Sequence, residues 1–179
     1  MIIRALRTFY LILFLLFSGG GLLAENLIVS QTWNYISDRV MGGVSLGKAQ
    51  FEDTTSGRAL RLFGEVSTAN NGGFIQVRTQ YSKSSSHNAL GLELTVRGNS
   101  EVYFINIRTN GTRLPWHYYS QSFKTAPEWT AVKLPFDKFE RSSRLMGKFL
   151  DQHNINTIGL VAYGKDHYAD LYIKDLRFY

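Results

Sequence analysis

Apolar and polar positions alternate along this chain in short runs. Leu92, Leu94 and Val96 alternate with Glu93, Thr95 and Arg97; Leu60, Leu62 and Gly64 alternate with Arg61 and Phe63; Val132 and Leu134 alternate with Ala131 and Lys133. A period of two marks strands with one face in a core. Further strands of this kind are expected over residues 74–80, 102–109, 118–124, 155–163 and 169–179. Turn signals separate them at Asn70-Asn71-Gly72-Gly73, Arg97-Gly98-Asn99, Asn110-Gly111 and Ala126-Pro127. Over residues 136–151 Phe136, Phe139, Leu145, Phe149 and Leu150 keep an interrupted helical spacing, which predicts a short helix or an irregular crossover. About ten strands without alternating helices predict an all-β fold, an antiparallel jelly-roll β-sandwich with at most one or two short helices.

Two details of parity go further. In the last strand Ala169, Leu171 and Ile173 share one face, whereas Leu176 and Phe178 fall on the other parity. A bulge near Lys174-Asp175 would return both sets to the core and leave Asp175 at an irregular edge. If Ile75 and Val77, and likewise Tyr103, Ile105 and Ile107, face the core, then Phe74, Gln76, Arg78, Phe104, Asn106 and Arg108 face away. Trp116, Tyr118 and Tyr119 follow directly. Planar rings beside amides and guanidiniums suit stacking and hydrogen bonding to a sugar or a protein; the alternative is a second apolar layer beneath a loop.

Residues 1–24 have the three parts of a secretory signal: Arg4 and Arg7, an unbroken apolar run over 9–17, and a glycine-rich stretch ending at Ala24. The run is short of the roughly 20 residues a membrane helix needs. Cleavage after Ala24 is expected, leaving 155 residues as a single domain and an exported, periplasmic or secreted protein without a transmembrane segment. Loss of the two arginines takes the formal net charge from +6 to +4, and the basic residues are scattered, which argues against nucleic acid. Cysteine is absent, which excludes disulfides, thiolate metal sites and cysteine nucleophiles.

The densest stretch is Ser37-Asp38-Arg39-Val40-Met41-Gly42-Gly43-Val44-Ser45, where Gly42-Gly43 marks a tight bend or a close approach of backbone to another group. Together with Trp33, with Asn71-Gly72-Gly73-Phe74, with Gly91-Leu92, Val96-Arg97-Gly98 and Tyr103, and with Trp129, Leu134-Pro135-Phe136, Ile158-Gly159 and residues 173–179, it resembles the complex I intermediate-associated protein 30 family. The resemblance covers nearly the whole chain after residue 24. It implies a galactose-binding-like sandwich, no enzymatic activity, and a role as an assembly factor acting through protein contacts.

Gly43-Val44-Ser45-Leu46-Gly47 matches the G-x-S-x-G nucleophile elbow, but strand-like alternation follows it where an elbow requires a helix. His87, His117, His153 and His167 stand apart with no metal-ligand spacing. No catalytic set and no cofactor is expected. Structural calcium is carried as an open reading, with Asp175 as ligand and Glu52 and Asp53 as companions. Asp38 and Arg39 admit two readings, a buried ion pair clamping the glycine bend or the polar contacts of a binding site; the clamp is favoured because turn carboxylates commonly tie down backbone groups. The candidate binding residues are therefore Asp38, Arg39, Gly42, Gly43, Asn71, Arg78, Arg108, Trp116 and Tyr118. The expected function is an exported, non-catalytic binding domain with a protein partner, or alternatively a carbohydrate-binding module; an esterase using Ser45 is the third reading.

Overall fold

The computed structural model describes residues 24–81 and 88–179; residues 1–23 of the expected leader, and His87, lie outside them. The described residues form β1 (Asn34–Ser37), β2 (Leu46–Thr54), β3 (Gly57–Val66), β4 (Phe74–Gln80), β5 (Gly91–Gly98), β6 (Val102–Thr109), β7 (Tyr119–Lys124), β8 (Thr130–Pro135), β9 (Glu140–Arg141), β10 (Ile155–Tyr163) and β11 (His167–Phe178). One α-helix, α1 (Leu27–Ser30), precedes them. Every pairing is antiparallel. A six-stranded sheet runs β1-β4-β10-β6-β7-β9 and a five-stranded sheet runs β2-β3-β11-β5-β8, so the all-β sandwich read from alternation is the fold.

The inner faces carry the predicted residues. Leu60, Leu62, Leu92, Leu94, Val96, Leu171 and Ile173 meet Ile75, Val77, Tyr103, Ile105, Ile107, Ile158 and Leu160 in one buried cluster. Truncating a buried leucine or isoleucine here to alanine should cost about 2–5 kcal/mol, because transfer and cavity terms add. The outward positions of β4 and β6 then share the outer face of the six-stranded sheet.

The phase slip in β11 is a bulge. Its register against β5 shifts between Ile173 and Asp175, and Leu176 and Phe178 return to the core. Asp175, however, lies in the central strand of its sheet, not at an edge. Pairing with β3 ends at Ile173, and beyond it the side chain of Asn26 takes over. Its amide donates to the Lys174 carbonyl at 2.9 Å, and its Oδ1 accepts from the Leu176 amide at 3.2 Å and the Ile28 amide at 3.0 Å. One asparagine thus caps α1 and closes the bulge.

Over residues 136–151 the crossover reading holds. A 3-10 turn at Phe136–Lys138 and the two-residue β9 replace a helix. Phe136, Phe139, Met146 and Leu150 are buried while Leu145 and Phe149 are exposed, which accounts for the broken spacing.

Candidate functional site

The opening glycine bend is built around Asp38, whose side chain is fully buried. Asp38 begins a 3-10 turn, Asp38–Met41, which ends at Gly42 in the left-handed region at φ 91°. The chain can then fold back so that the Gly43 amide donates to the Asp38 carbonyl at 3.0 Å. Asp38 Oδ1 accepts from the Ser45 amide at 3.0 Å, and Oδ2 accepts from the Gly73 amide at 2.6 Å, the Phe74 amide at 3.3 Å and the Ser45 hydroxyl at 2.5 Å. Burial pushes this carboxyl up, but the amides of Gly73, Phe74 and Ser45 and the Ser45 hydroxyl outweigh it and hold the group below its ordinary value. A Cβ on Gly43 would lie 2.3 Å from Asp38 Cγ, and one on Gly72 would lie 2.4 Å from Asp38 Oδ2. Both double-glycine turns are therefore needed for close approach to one carboxylate.

The clamp reading stands with a correction to its partner. The expected Asp38-Arg39 pair does not form: Asp38 is bound by backbone amides and a serine, and the Arg39 side chain is exposed. Alternate residues of a tight turn point in different directions, so neighbours in sequence diverge. Ser45 is fully buried, and its Oγ also accepts from the Ser67 amide at 3.0 Å. That hydroxyl is committed to structure, and β2, not a helix, follows it, as the elbow argument requires. Asn71 is an exposed turn residue at φ 57°.

The outer face of the six-stranded sheet carries a groove of about 520 Å³. Phe74, Gln76 and Arg78 of β4 and Asn106 and Arg108 of β6 line it, as parity predicts. Between them runs β10, on which Gly159 lies opposite both Arg78 and Asn106. A Cβ there would meet Gln76 Oε1 at 3.4 Å and the Arg78 Cβ at 3.7 Å, so the missing side chain forms the floor. Trp116, Tyr118 and Tyr163 supply rings, and Val40 and Met41 from the Asp38 turn form a rim. The clamp and the groove are therefore neighbours: the same bend that buries Asp38 presents Val40 and Met41 outward.

Hydrogen bonds fix the aromatic wall. Arg108 Nη2 donates to the carbonyls of Thr112 at 3.2 Å and Leu114 at 3.0 Å, which ties down the loop before Trp116. Ser142 Oγ donates to the Trp116 carbonyl at 2.9 Å and accepts from the Tyr118 amide at 3.1 Å. Trp116 itself remains 64 % exposed. Burial, and then the like charge of Arg78, push the Arg108 guanidinium down; burial pushes the Tyr118 hydroxyl up.

A second groove of about 420 Å³ adjoins the first across Tyr118 and Tyr163, and carries Phe104, Ser120, Gln121, Lys138, Glu140 and Arg141. Phe104 packs edge-on against Tyr163, with ring centres 4.9 Å apart. Tyr119 departs from expectation: its ring is buried in the core, and its hydroxyl donates to the Gly147 carbonyl at 2.9 Å. The carboxylates of the calcium reading do not converge. Asp175 is bound by Arg177, Glu52 by Arg61 and Tyr172, and Asp53 is exposed. Among the described residues no three His, Asp or Glu side chains gather where they could hold a metal ion. No helix of the described residues is long and apolar enough to cross a membrane.

Sequence reasoning missed Gly159, Val161 and Tyr163 of β10. Their signal was the odd parity of residues 157–163, masked because Ile158, Leu160 and Ala162 on the opposite face make the run look apolar throughout.

Residues 25–172 match the family model described as "Complex I intermediate-associated protein 30 (CIA30)". The chain belongs to the CIA30 family. No curated protein sequence matches it significantly. Among solved structures, this CIA30 chain is similar to the family 11 carbohydrate-binding module of the cellulosomal cellulase Lic26A-Cel5E of Clostridium thermocellum, with a TM-score of 0.68, 13 % identity, and 87 % of this chain and 93 % of that chain covered. The family 11 module of Clostridium thermocellum in complex with a β-1,3-1,4-mixed-linked tetrasaccharide gives a TM-score of 0.65 at 13 % identity, covering 82 % and 87 %. A family 30 carbohydrate-binding module gives 0.61 at 12 % identity, covering 88 % of each chain. At such identities the likeness establishes the fold, a jelly-roll sandwich of the carbohydrate-binding-module kind.

Proposed function

We propose that this CIA30 domain is a non-catalytic saccharide-binding module whose ligand lies in the groove over β4, β10 and β6. The observation that carries the reading is the joint lining of one groove by exposed Trp116 and by Tyr118, Gln76, Asn106, Arg78 and Arg108. A sugar ring offers an apolar face to an aromatic side chain and hydroxyls to amides and guanidiniums, and both kinds of partner are present within reach of one ligand. Ser45, the one nucleophile suggested by motif, is buried away from this lining and bonded to Asp38. Export, expected from residues 1–24, accords with a polysaccharide ligand outside the cytoplasm.

Affinity electrophoresis in gels cast with mixed-linked glucan, agarose or polygalacturonate tests the proposal. At least one polysaccharide should retard the protein, and Trp116→Ala should abolish the retardation while leaving Tm unchanged. Retardation that is equal in the two proteins, or absent in all gels, contradicts it.

A protein partner is the second reading, favoured by one observation besides the family's description. Val40 and Met41 are 76 % and 69 % exposed on the groove rim, where apolar side chains suit a protein contact. Val40→Ser with Met41→Ser should then eliminate co-purification of a defined protein from the cell envelope, and undiminished co-purification would contradict this reading.

A further inference from the structure

Resting on the saccharide reading, we propose that the ligand is acidic, and that a carboxylate or sulfate carried on a sugar ring is received between Arg78 and Arg108. The first observation is the charge of the lining. The main groove carries these two guanidiniums and no aspartate or glutamate. The adjoining groove adds Arg141 and Lys138 against Glu140, with Asp137, outside the lining, 3.8 Å from Lys138 Nζ.

The second observation is a contrast within the molecule. On the outer face of the five-stranded sheet, Arg61 is matched by carboxylates: its Nε donates to Asp170 Oδ1 at 2.8 Å, its Nη2 to Asp170 Oδ2 at 3.0 Å and its Nη1 to Glu52 Oε1 at 3.2 Å. Arg108 is held instead by neutral acceptors, the Thr112 and Leu114 carbonyls and, at 3.4 Å, the Thr112 hydroxyl. These fix the direction of its fork without cancelling its charge. Nη1 takes part in no hydrogen bond to the described residues and is left for a ligand. Arg78 forms no ion pair with the described residues, and its like charge contributes to the lowering at Arg108.

The physical consequence follows from desolvation. A neutral chain filling the groove would strip water from two guanidiniums and return no opposite charge, which costs affinity. An anionic chain returns that charge through two pre-oriented donors. A charge at the edge of a pyranose ring leaves the ring face for Trp116 or Tyr118, so both halves of the lining are used at once.

Calorimetric titration of the purified protein with matched pairs tests this: oligogalacturonate and its methyl ester, oligomannuronate and its methyl ester, and a sulfated galactan oligomer and its desulfated form. The charged member of at least one pair should bind about tenfold or more tightly than its neutral twin. The difference should shrink as salt rises from 20 to 500 mM, a range that shortens electrostatic reach from about 20 Å to about 4 Å. Arg78→Gln should remove most of it. Arg78 supports no loop, so this variant remains informative should Arg108→Gln disturb the Trp116 segment. Uronates and sulfated oligomers distinguish the two sources of charge. Neutral twins that bind as tightly as the charged ones overturn the acidic ligand and leave the saccharide reading standing; no binding by any member overturns the acidic ligand, and the saccharide reading falls with it when no polysaccharide gel retards the protein either.

Discussion

The amide of Gly73 donates to Oδ2 of Asp38, 35 positions earlier in the chain, across 2.6 Å, and so joins the two double-glycine turns. Through that carboxylate the turn before β2 and the turn before β4 become one object. The first presents Val40 and Met41 to the groove, and the second launches Phe74, Gln76 and Arg78 along its wall. A structural clamp thus sets the geometry of the candidate site without belonging to its lining.

Replacing Asp38 by Ala leaves several buried donors without an acceptor, at a cost of about 3 kcal/mol or more. For a chain of this length that is roughly a 10 °C fall in Tm. Asp38→Asn, which keeps one acceptor, should lose less. Thermal melts of the three proteins check the order: a Tm for Asp38→Ala equal to that of the parent contradicts the clamp.

The same carboxylate makes stability depend on pH. Folding lowers its pKa from an ordinary value of 3.8. Its contribution is complete above that value and is lost as pH falls through the lower folded value. Glu52 is lowered from 4.5 in the same direction, with the Gln50 hydrogen bond as the largest cause. Tm should therefore drop steeply below about pH 4. In Asp38→Asn, which has no proton to take up there, the acid limb should be shallower. Melts from pH 2.5 to 7 decide this, and parallel limbs in the two proteins would be the wrong result.

Gly43→Ala places a methyl group against the Asp38 carboxylate. Overpacking of this kind costs about 1–3 kcal/mol. Gly159→Ala has ordinary contact distances and should leave the stability within about 0.5 kcal/mol of the parent. Gly159→Leu should keep the fold and fill the groove floor, so that polysaccharide retardation is lost. Melting and affinity electrophoresis of the three variants separate the roles of the two glycines.

Asn26→Ala removes the cap of α1 and the closure of the β11 bulge together. The lost cap costs about 1 kcal/mol and the orphaned Leu176 amide about 1–3 kcal/mol more. Asn26→Asp keeps both acceptor functions and loses only the donation to Lys174, so it should fall between Ala and the parent in chemical denaturation. An Asp variant less stable than the Ala variant would contradict this assignment.

What was legible in the sequence follows from how each feature is encoded. Alternation at Ile75 and Val77 and at Tyr103, Ile105 and Ile107 is local, so it predicted both the sandwich and the outward set Gln76, Arg78, Asn106 and Arg108. The bulge at Lys174 was readable because a register slip moves every later side chain to the other face. Strand order is non-local. Nothing within β10 says that it separates β4 from β6, and both its faces read as apolar, so the Gly159 floor was invisible. The partner of Asp38 was equally hidden, because a backbone amide leaves no residue type to search for. Adjacent Arg39 drew the expectation instead.

The central claim is that ligand binds over β4, β10 and β6, and a nuclear magnetic resonance titration with an oligosaccharide cut from a polysaccharide that retards the protein tests it most directly. The account predicts chemical-shift changes gathered at the amides of Arg78, Asn106 and Gly159 and at the indole of Trp116. Changes confined to the opposite sheet around Arg61 and Arg97, or no change at all, would contradict it.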